Sequence, residues 1–286
     1  TLTADKANAL AEMGVNRASL GVQSFNPRIL ALLDRSHEAG KVSEALRLVR
    51  AAGIRNINMD LMFSIPSQTF EELTADLAEA FGQGTQHVSL YSLMYEDGTP
   101  LTGRMESGEI EPVDPDTEAE FYRETVARAQ QAGFERYEVS NFARPARECQ
   151  HNLVYWRSGD WLGIGPAAHS ARGKQRWGNC EDHREYARAL LDEGRFPVTM
   201  DETSTPERYA DELLMMGLRL TEGVNALEFK RKCGFSIEDR CGPALDEMER
   251  MGLMAFDGRT LKLTAQGFLV LDSVLLELTR APMRLA

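Results

Sequence analysis

The chain has 286 residues, 43% of them hydrophobic, and a formal net charge of −12. That length and composition allow a sizeable core in one large domain or two ordinary ones, while the surplus of negative charge argues against a broad nucleic-acid footprint. No apolar run reaches membrane-span length, so the expectation is a cytoplasmic protein without a transmembrane segment.

Thr3 stands where it can cap a helix that runs to Met13. Residues 17–22 form a short apolar run that ends on a polar residue, Gln23. Asn26 and Pro27 then read as the N-cap and first position of a short helix. Val42, Ala45, Leu46 and Val49 recur at helical spacing over 41–52, and Gly53 ends the run. Residues 54–62 are the next apolar strand, with Asp60 near its end, and Thr69 with Glu72 makes a capping box for another helix. Residues 86–93 read as a third strand from their β-branched and aromatic content. Three βα units in series suit half of a parallel barrel or half of an open sheet. In either architecture, polar residues at strand exits build the site. Gln23 and Asp60 occupy such positions, and Arg35 lies between them in sequence.

Residues 96–115 are turn-rich, with room for one short helix. Residues 116–132 are amphipathic, with Ala119, Tyr122, Val126 and Ala129 on one face and Gly133 as the stop. Residues 134–142 alternate and read as one strand. The segment after them, to about residue 170, is dense in Arg, His, aromatics and Gly and has little periodicity, which marks a site-bearing loop. From Asp182 the pattern becomes helical, with a break near 196–205, clear helices over 207–220 and 237–251, and a last helix over 263–278 capped by Thr264. A hairpin turning on Asp257-Gly258 precedes that last helix. Helices followed by a hairpin suggest a winged-helix-like domain.

Two stretches carry a resemblance: GVQSFNPRILALLDRSH at 21–37 and DLMFSIPSQT at 60–69. Together they resemble the radical S-adenosylmethionine proteins of the oxygen-independent coproporphyrinogen III oxidase type. YEVSNFARP at 137–145 extends the likeness, and HNLVYW at 151–156 matches the HNxxYW signature of the oxidase-like haem-chaperone branch. The resemblance implies an α/β fold. It would be the C-terminal half of a partial (β/α)6 barrel over residues 1–180, followed by a small helical, winged-helix-like domain over 181–286. It also implies a 4Fe-4S cluster held by a CxxxCxxC loop. No such loop occurs here, and Cys149, Cys180, Cys233 and Cys241 have spacings that fit neither a cluster run nor a zinc ribbon. The expectation is therefore that the chain starts after the cluster loop.

By the same resemblance, Gln23, Arg35 and Asp60 fall on positions that contact S-adenosyl-L-methionine, and Ser92 and His169 on positions that line its adenosine pocket. The residue types suit that ligand. A guanidinium fork takes a carboxylate, and Asp and Gln take ribose hydroxyls. His151, Asn152, Tyr155 and Trp156 are the haem-binding expectation. His151 offers an imidazole to the iron, and the aromatics offer faces to the macrocycle. Read as residues alone, a His-Asn pair closing a loop over Tyr and Trp in a core remains equally open. The expected function is a haem chaperone that passes haem to haem proteins, with peripheral docking of the chaperone to membrane haem proteins among its expected contacts. The alternative is the oxidase, an enzyme that decarboxylates propionates of coproporphyrinogen III.

Overall fold

Residues 2–35 and 39–283 are described by the structure, a computed structural model. Its contacts divide the chain into two units, residues 1–148 and 149–286.

The first unit begins with α1 (Ala4–Glu12), capped by Thr3. Then come β1 (Arg17–Gln23), α2 (Pro27–Leu32), α3 (Ala39–Ala51), β2 (Asn56–Phe63), α4 (Phe70–Gly82) and β3 (His87–Ser92). The three strands are adjacent and parallel, as the sequence leads one to expect. Alternation along them separates two faces. Ala18, Leu20, Val22, Ile57, Met59, Leu61, Phe63, Val88 and Leu90 face one way and join the core with side chains of α3 and α4. The helix α5 (Pro100–Glu106) sits in the turn-rich stretch, and α6 (Pro115–Gln131) adds Phe121 and Ala129 to that core. The capping box of α4 forms as expected, Thr69 accepting from the Glu72 backbone and Glu72 from that of Thr69.

One strand expected over 134–142 is two. The short β4 (Glu135–Arg136) and β5 (Asn141–Ala143) pair antiparallel, and Tyr137 donates to the Asn141 carbonyl across the reversal at 3.2 Å. The final sheet order is β1-β2-β3-β5-β4, with β5 antiparallel to β3 and β1 at the edge.

The second unit opens with α7 (Gln150–Trp156), where the sequence suggests a loop. An antiparallel sheet follows, built from β6 (His169–Arg172), β7 (Gln175–Asn179) and β8 (Val198–Thr203), with α8 (His183–Leu191) between the last two. The sequence puts the domain boundary at 180. The structure puts 149–180 with the second unit, because β6 and β7 are hydrogen-bonded into one sheet with β8. Next are α9 (Pro206–Gly217), β9 (Val224–Asn225), α10 (Ala226–Cys233), α11 (Ile237–Cys241), α12 (Pro243–Arg250), β10 (Met254–Phe256), β11 (Thr260–Leu263), α13 (Ala265–Leu269) and α14 (Leu271–Arg280). The helices with the β9-β11-β10 sheet make the winged-helix-like arrangement. The helix expected over 237–251 breaks at Gly242, whose φ is 53°, followed by Pro243. Arg240, only 5% exposed, pairs with Asp211 and donates to the carbonyls of Leu278, Thr279 and Ala281. It ties α9, α11 and the end of α14 together. No helix among the described residues is long and apolar enough to cross a membrane.

Candidate functional site

The face of the β1-β2-β3 sheet opposite the helices is polar. Arg17, Ser19 and Gly21 of β1 sit beside Asn56, Asn58 and Asp60 of β2, which sit beside His87, Ser89 and Tyr91 of β3. Three donors converge on the Asp60 carboxylate. Ser19 Oγ reaches Oδ2 at 2.9 Å, while Asn58 Nδ2 at 2.7 Å and the Tyr91 hydroxyl at 3.2 Å reach Oδ1. A carboxylate accepts about four hydrogen bonds, so Asp60 keeps capacity for a ligand. Behind it, His87 Nδ1 lies 2.6 Å from Asn58 Oδ1, and His87 Nε2 lies 2.9 Å from the Tyr137 hydroxyl. Burial, then the Arg17 charge, holds the His87 imidazole down to about 3, so it is neutral.

Gln23 ends β1 at a bulge, with φ of 64°. Its side chain folds back over Gly21, the residue paired with Asp60. A methyl group on Gly21 would meet Gln23 Nε2 at 3.1 Å. Gln23 and Asp60 are thus brought together on the polar face, and the Gln23 amide makes no hydrogen bond among the described residues. Both side chains have donor or acceptor capacity left for hydroxyl groups, and so fit the ribose of S-adenosylmethionine.

The turn after Gln23 is held from α4. Asp76 accepts from Ser24 Oγ and, at 2.8 Å, from the Phe25 amide. Burial nevertheless pushes the Asp76 carboxyl above its usual range. Glu72 takes Asn26 Nδ2 and a bidentate Arg28, and the Arg28 bonds hold Glu72 below the usual range. The signal for this clamp lies in the SFNPR stretch and the two acidic residues of α4, a pairing that sequence reasoning misses.

The remaining expected residues belong to other elements. Arg35 is exposed after α2 and bonds neither Gln23 nor Asp60. Ser36 and His37, which end the same sequence stretch, lie outside the described residues. Ser92 belongs to the opposite face by strand parity and donates to Glu118 of α6. Tyr91, its neighbour, is the residue of this strand end that reaches Asp60. His169 lies in the second unit, at the start of β6, with its ring over Gly178 of β7; a Cβ there would stand 3.0 Å from Cε1.

The HNLVYW residues are on α7, and helical spacing sorts them into two stripes. His151 and Tyr155 share one, their rings 4.9 Å apart and nearly perpendicular. Tyr155 in turn meets Trp161 at 4.7 Å, and Arg176 lies over Trp161 at 5.5 Å. His151 is exposed, and its ring makes no hydrogen bond among the described residues. Asn152 and Trp156 form the other stripe. Asn152 does not bond His151. Trp156 turns toward α9, lining a space of about 260 Å³ with Leu213, Gly217 and Phe229, with Arg219 over its ring at 5.9 Å. The four motif residues do not converge on one point. His151, Tyr155 and Trp161 do form a continuous edge, and Trp161 is the member the motif omits.

Arg176 and Trp177, neighbours on β7, face opposite sides of their sheet. Trp177, with Leu162, Ile164, Tyr186 and Phe196, lines an apolar cavity of about 640 Å³. Its polar lining groups Gln175 and Asn179 are bonded within the unit. The four cysteines are free thiols, and burial pushes Cys233 up to about 11 and Cys241 up to about 12. No group of three potential metal ligands occurs among the described residues.

Comparison with known proteins adds an independent line. The family described as the Radical SAM superfamily matches residues 1–80, and the one described as the HemN C-terminal domain matches residues 204–270. The heme chaperone HemW of Mycobacterium tuberculosis is 36% identical over 91% of this chain and 65% of its own length. That of Bacillus subtilis is 33% identical over 96% of the chain and 72% of its own length; for Escherichia coli the figures are 33%, 96% and 71%. The chain therefore spans about 65% of the first of these relatives. Among solved structures, the coproporphyrinogen III oxidase HemN of Escherichia coli superposes with a TM-score of 0.79 at 20% identity, covering 98% of this chain and 67% of that one. That likeness establishes the fold.

Proposed function

The chain belongs to the family of the heme chaperone HemW within the radical S-adenosylmethionine superfamily, and from that membership we propose that it carries haem and hands it to haem-accepting proteins. The observation that supports this reading is the edge where exposed His151 and half-buried Tyr155 of α7 stand in contact with half-buried Trp161. An exposed imidazole with no hydrogen bond among the described residues suits an iron ligand, and two aromatic rings beside it suit the apolar face of a porphyrin. Trp156, turned into the fold, supports the motif structurally. Arg176, over Trp161, is committed to Glu212 and to the carbonyls of Gly173 and Gln175, so it holds this edge in place.

S-adenosylmethionine would be held on the polar face of the first unit, its ribose hydroxyls by Gln23 and Asp60, while Arg35, exposed after α2, is assigned to its carboxylate on the family resemblance alone. Ser92 and His169 take no part in the Gln23–Asp60 pair, and we assign them no contact in it. A 4Fe-4S cluster would be held by cysteines other than the four dispersed thiols here, and together with S-adenosylmethionine it would supply the superfamily's redox chemistry. The working place is the cytoplasm, with haem acceptors in solution or docked at a membrane.

Haem titration of the full-length protein tests the reading. The His151→Ala variant should shift the Soret band and lose affinity by more than about tenfold, the lower end of the loss on removing even a metal ligand's hydrogen-bonded support. A parent-like spectrum and affinity would make His151 structural. Conversion of coproporphyrinogen III to a divinyl product at enzymatic rates would replace the carrier by the oxidase.

A further inference from the structure

The polar face holds more than the two residues assigned to the ligand, and one buried chain of hydrogen bonds organises it. Asn58 is its junction, only 3% exposed. Its amide nitrogen faces Ser19 Oγ at 2.6 Å, Asp60 Oδ1 at 2.7 Å and Ser89 Oγ at 3.0 Å. Its two protons serve the two nearer acceptors, Ser19 Oγ and Asp60 Oδ1, and share weakly with Ser89 Oγ. Ser19 passes its own proton to Asp60 Oδ2, and Ser89 passes its own to Asn141 Oδ1 at 2.7 Å. The Asn58 carbonyl oxygen faces His87 Nδ1. A carbonyl oxygen only accepts, so Nδ1 carries the proton. Nε2 is then bare and accepts from the Tyr137 hydroxyl.

This arrangement has one consistent orientation. If the Asn58 amide were flipped, its oxygen would stand 2.7 Å from the Asp60 carboxylate, two acceptors in a buried space, where unmade hydrogen bonds are expensive. The carboxylate thus sets the amide, and the amide oxygen takes the Nδ1 proton, which holds it in that orientation. The imidazole has no exposed surface and so has little freedom to relax.

We propose that His87 is a positioning residue for ligand binding: its Nδ1 proton locks the Asn58 amide, which with Ser19 fixes the Asp60 carboxylate toward the ribose. The inference rests on the assignment of Asp60 to S-adenosylmethionine made above. Asn58 is the intermediate, and Tyr137 fixes the tautomer from the far side. None of the three touches the ligand.

Calorimetric titration of S-adenosylmethionine into the full-length protein tests this, with Asp60→Asn as the reference. The discriminating pair is at position 87. An asparagine places an amide NH₂ near where Nδ1 sits, and a glutamine reaches past it toward Tyr137. His87→Gln should weaken binding about tenfold, the worth of one well-placed hydrogen bond, and His87→Asn should restore it to within about threefold of the parent. Asn58→Asp keeps the acceptor for His87 but removes the donor to Asp60, and should lose binding as His87→Gln does. Nitrogen-15 spectra of the parent should show His87 as the Nδ1–H tautomer, a readout independent of ligand. An Nε2–H tautomer overturns the proposal. So does parent-like affinity in His87→Gln and Asn58→Asp while Asp60→Asn is impaired, and the ligand assignment then stands. Parent-like affinity in Asp60→Asn brings down the assignment itself, and the proposal with it.

Discussion

Acidification should destabilise the first unit through His87. The perturbation is a fall in pH from about 7.5 to about 5, across the ordinary histidine pKa near 6.5. In the folded chain the imidazole is fully buried and held down to about 3, first by burial and then by the Arg17 charge. Between those two values the unfolded chain binds a proton that the folded chain refuses. Stability therefore rises with pH in this window and is lost as pH falls, by up to about 1.4 kcal/mol per unit. From pH 7.5 to 5 the loss sums to about 2 kcal/mol. Urea denaturation of the parent and of His87→Asn at both ends of the range isolates the effect, because asparagine does not titrate. Asp76 works in the opposite sense. Its raised carboxyl favours the folded state at low pH and loses that contribution as pH rises through the folded value, but it is common to both proteins and cancels. Equal pH slopes for the two proteins would refute the reasoning, as would an imidazole resonance of His87 that titrates near 6.5.

Two other substitutions test the scaffold of each unit. Arg240→Ala strands the Asp211 carboxylate and three carbonyls at the end of α14; it should cost about 3–5 kcal/mol in urea denaturation, and a cost under about 1 kcal/mol would show that the staple is dispensable. Gly21→Ala puts a methyl group against Gln23 Nε2; it should displace Gln23 and weaken S-adenosylmethionine binding while leaving stability within about 0.5 kcal/mol of the parent, and unchanged affinity would separate Gln23 from the ligand.

Much of the parallel sheet is legible in the sequence, because Ala18, Leu20 and Val22, then Ile57, Met59 and Leu61, announce one apolar face. The other face was there to be read as well. Asn56, Asn58 and Asp60 alternate with those apolar residues, as do His87, Ser89 and Tyr91 on the next strand. Counting that alternation would have selected Tyr91 over Ser92, since a period of two sends neighbours to opposite faces. The reversal at 137–140 is invisible to the same count, because alternation says nothing about chain direction. The helix α7 is hidden for other reasons. It has seven residues, no side-chain cap at Cys149, and only Leu153 buried. The strand β8 is exposed along most of its length and leaves no hydrophobic period to detect. Helical phase also explains why HNLVYW reads as one site and folds as two. Residues four apart share a stripe, so His151 goes with Tyr155 and Trp156 goes with Asn152.

The place of β1 at the edge of its sheet has a consequence for how the ligand face is completed. Among the described residues β1 pairs only with β2, so its outer ladder of amides and carbonyls is a template for one more strand. A strand added there inherits the pleat of β1. Its alternate side chains would stand beside Ser19 and Gly21 on the polar face, and the others would stand beside Ala18 and Leu20 above the helices. The register of that strand, by a single residue, decides whether a charge, a hydroxyl or a hydrocarbon becomes the next neighbour of Asp60. For the ligand proposed on this face, selectivity would thereby be coupled to strand pairing, and a substitution that shifts the register would change the surroundings of Asp60 without altering any residue beside it.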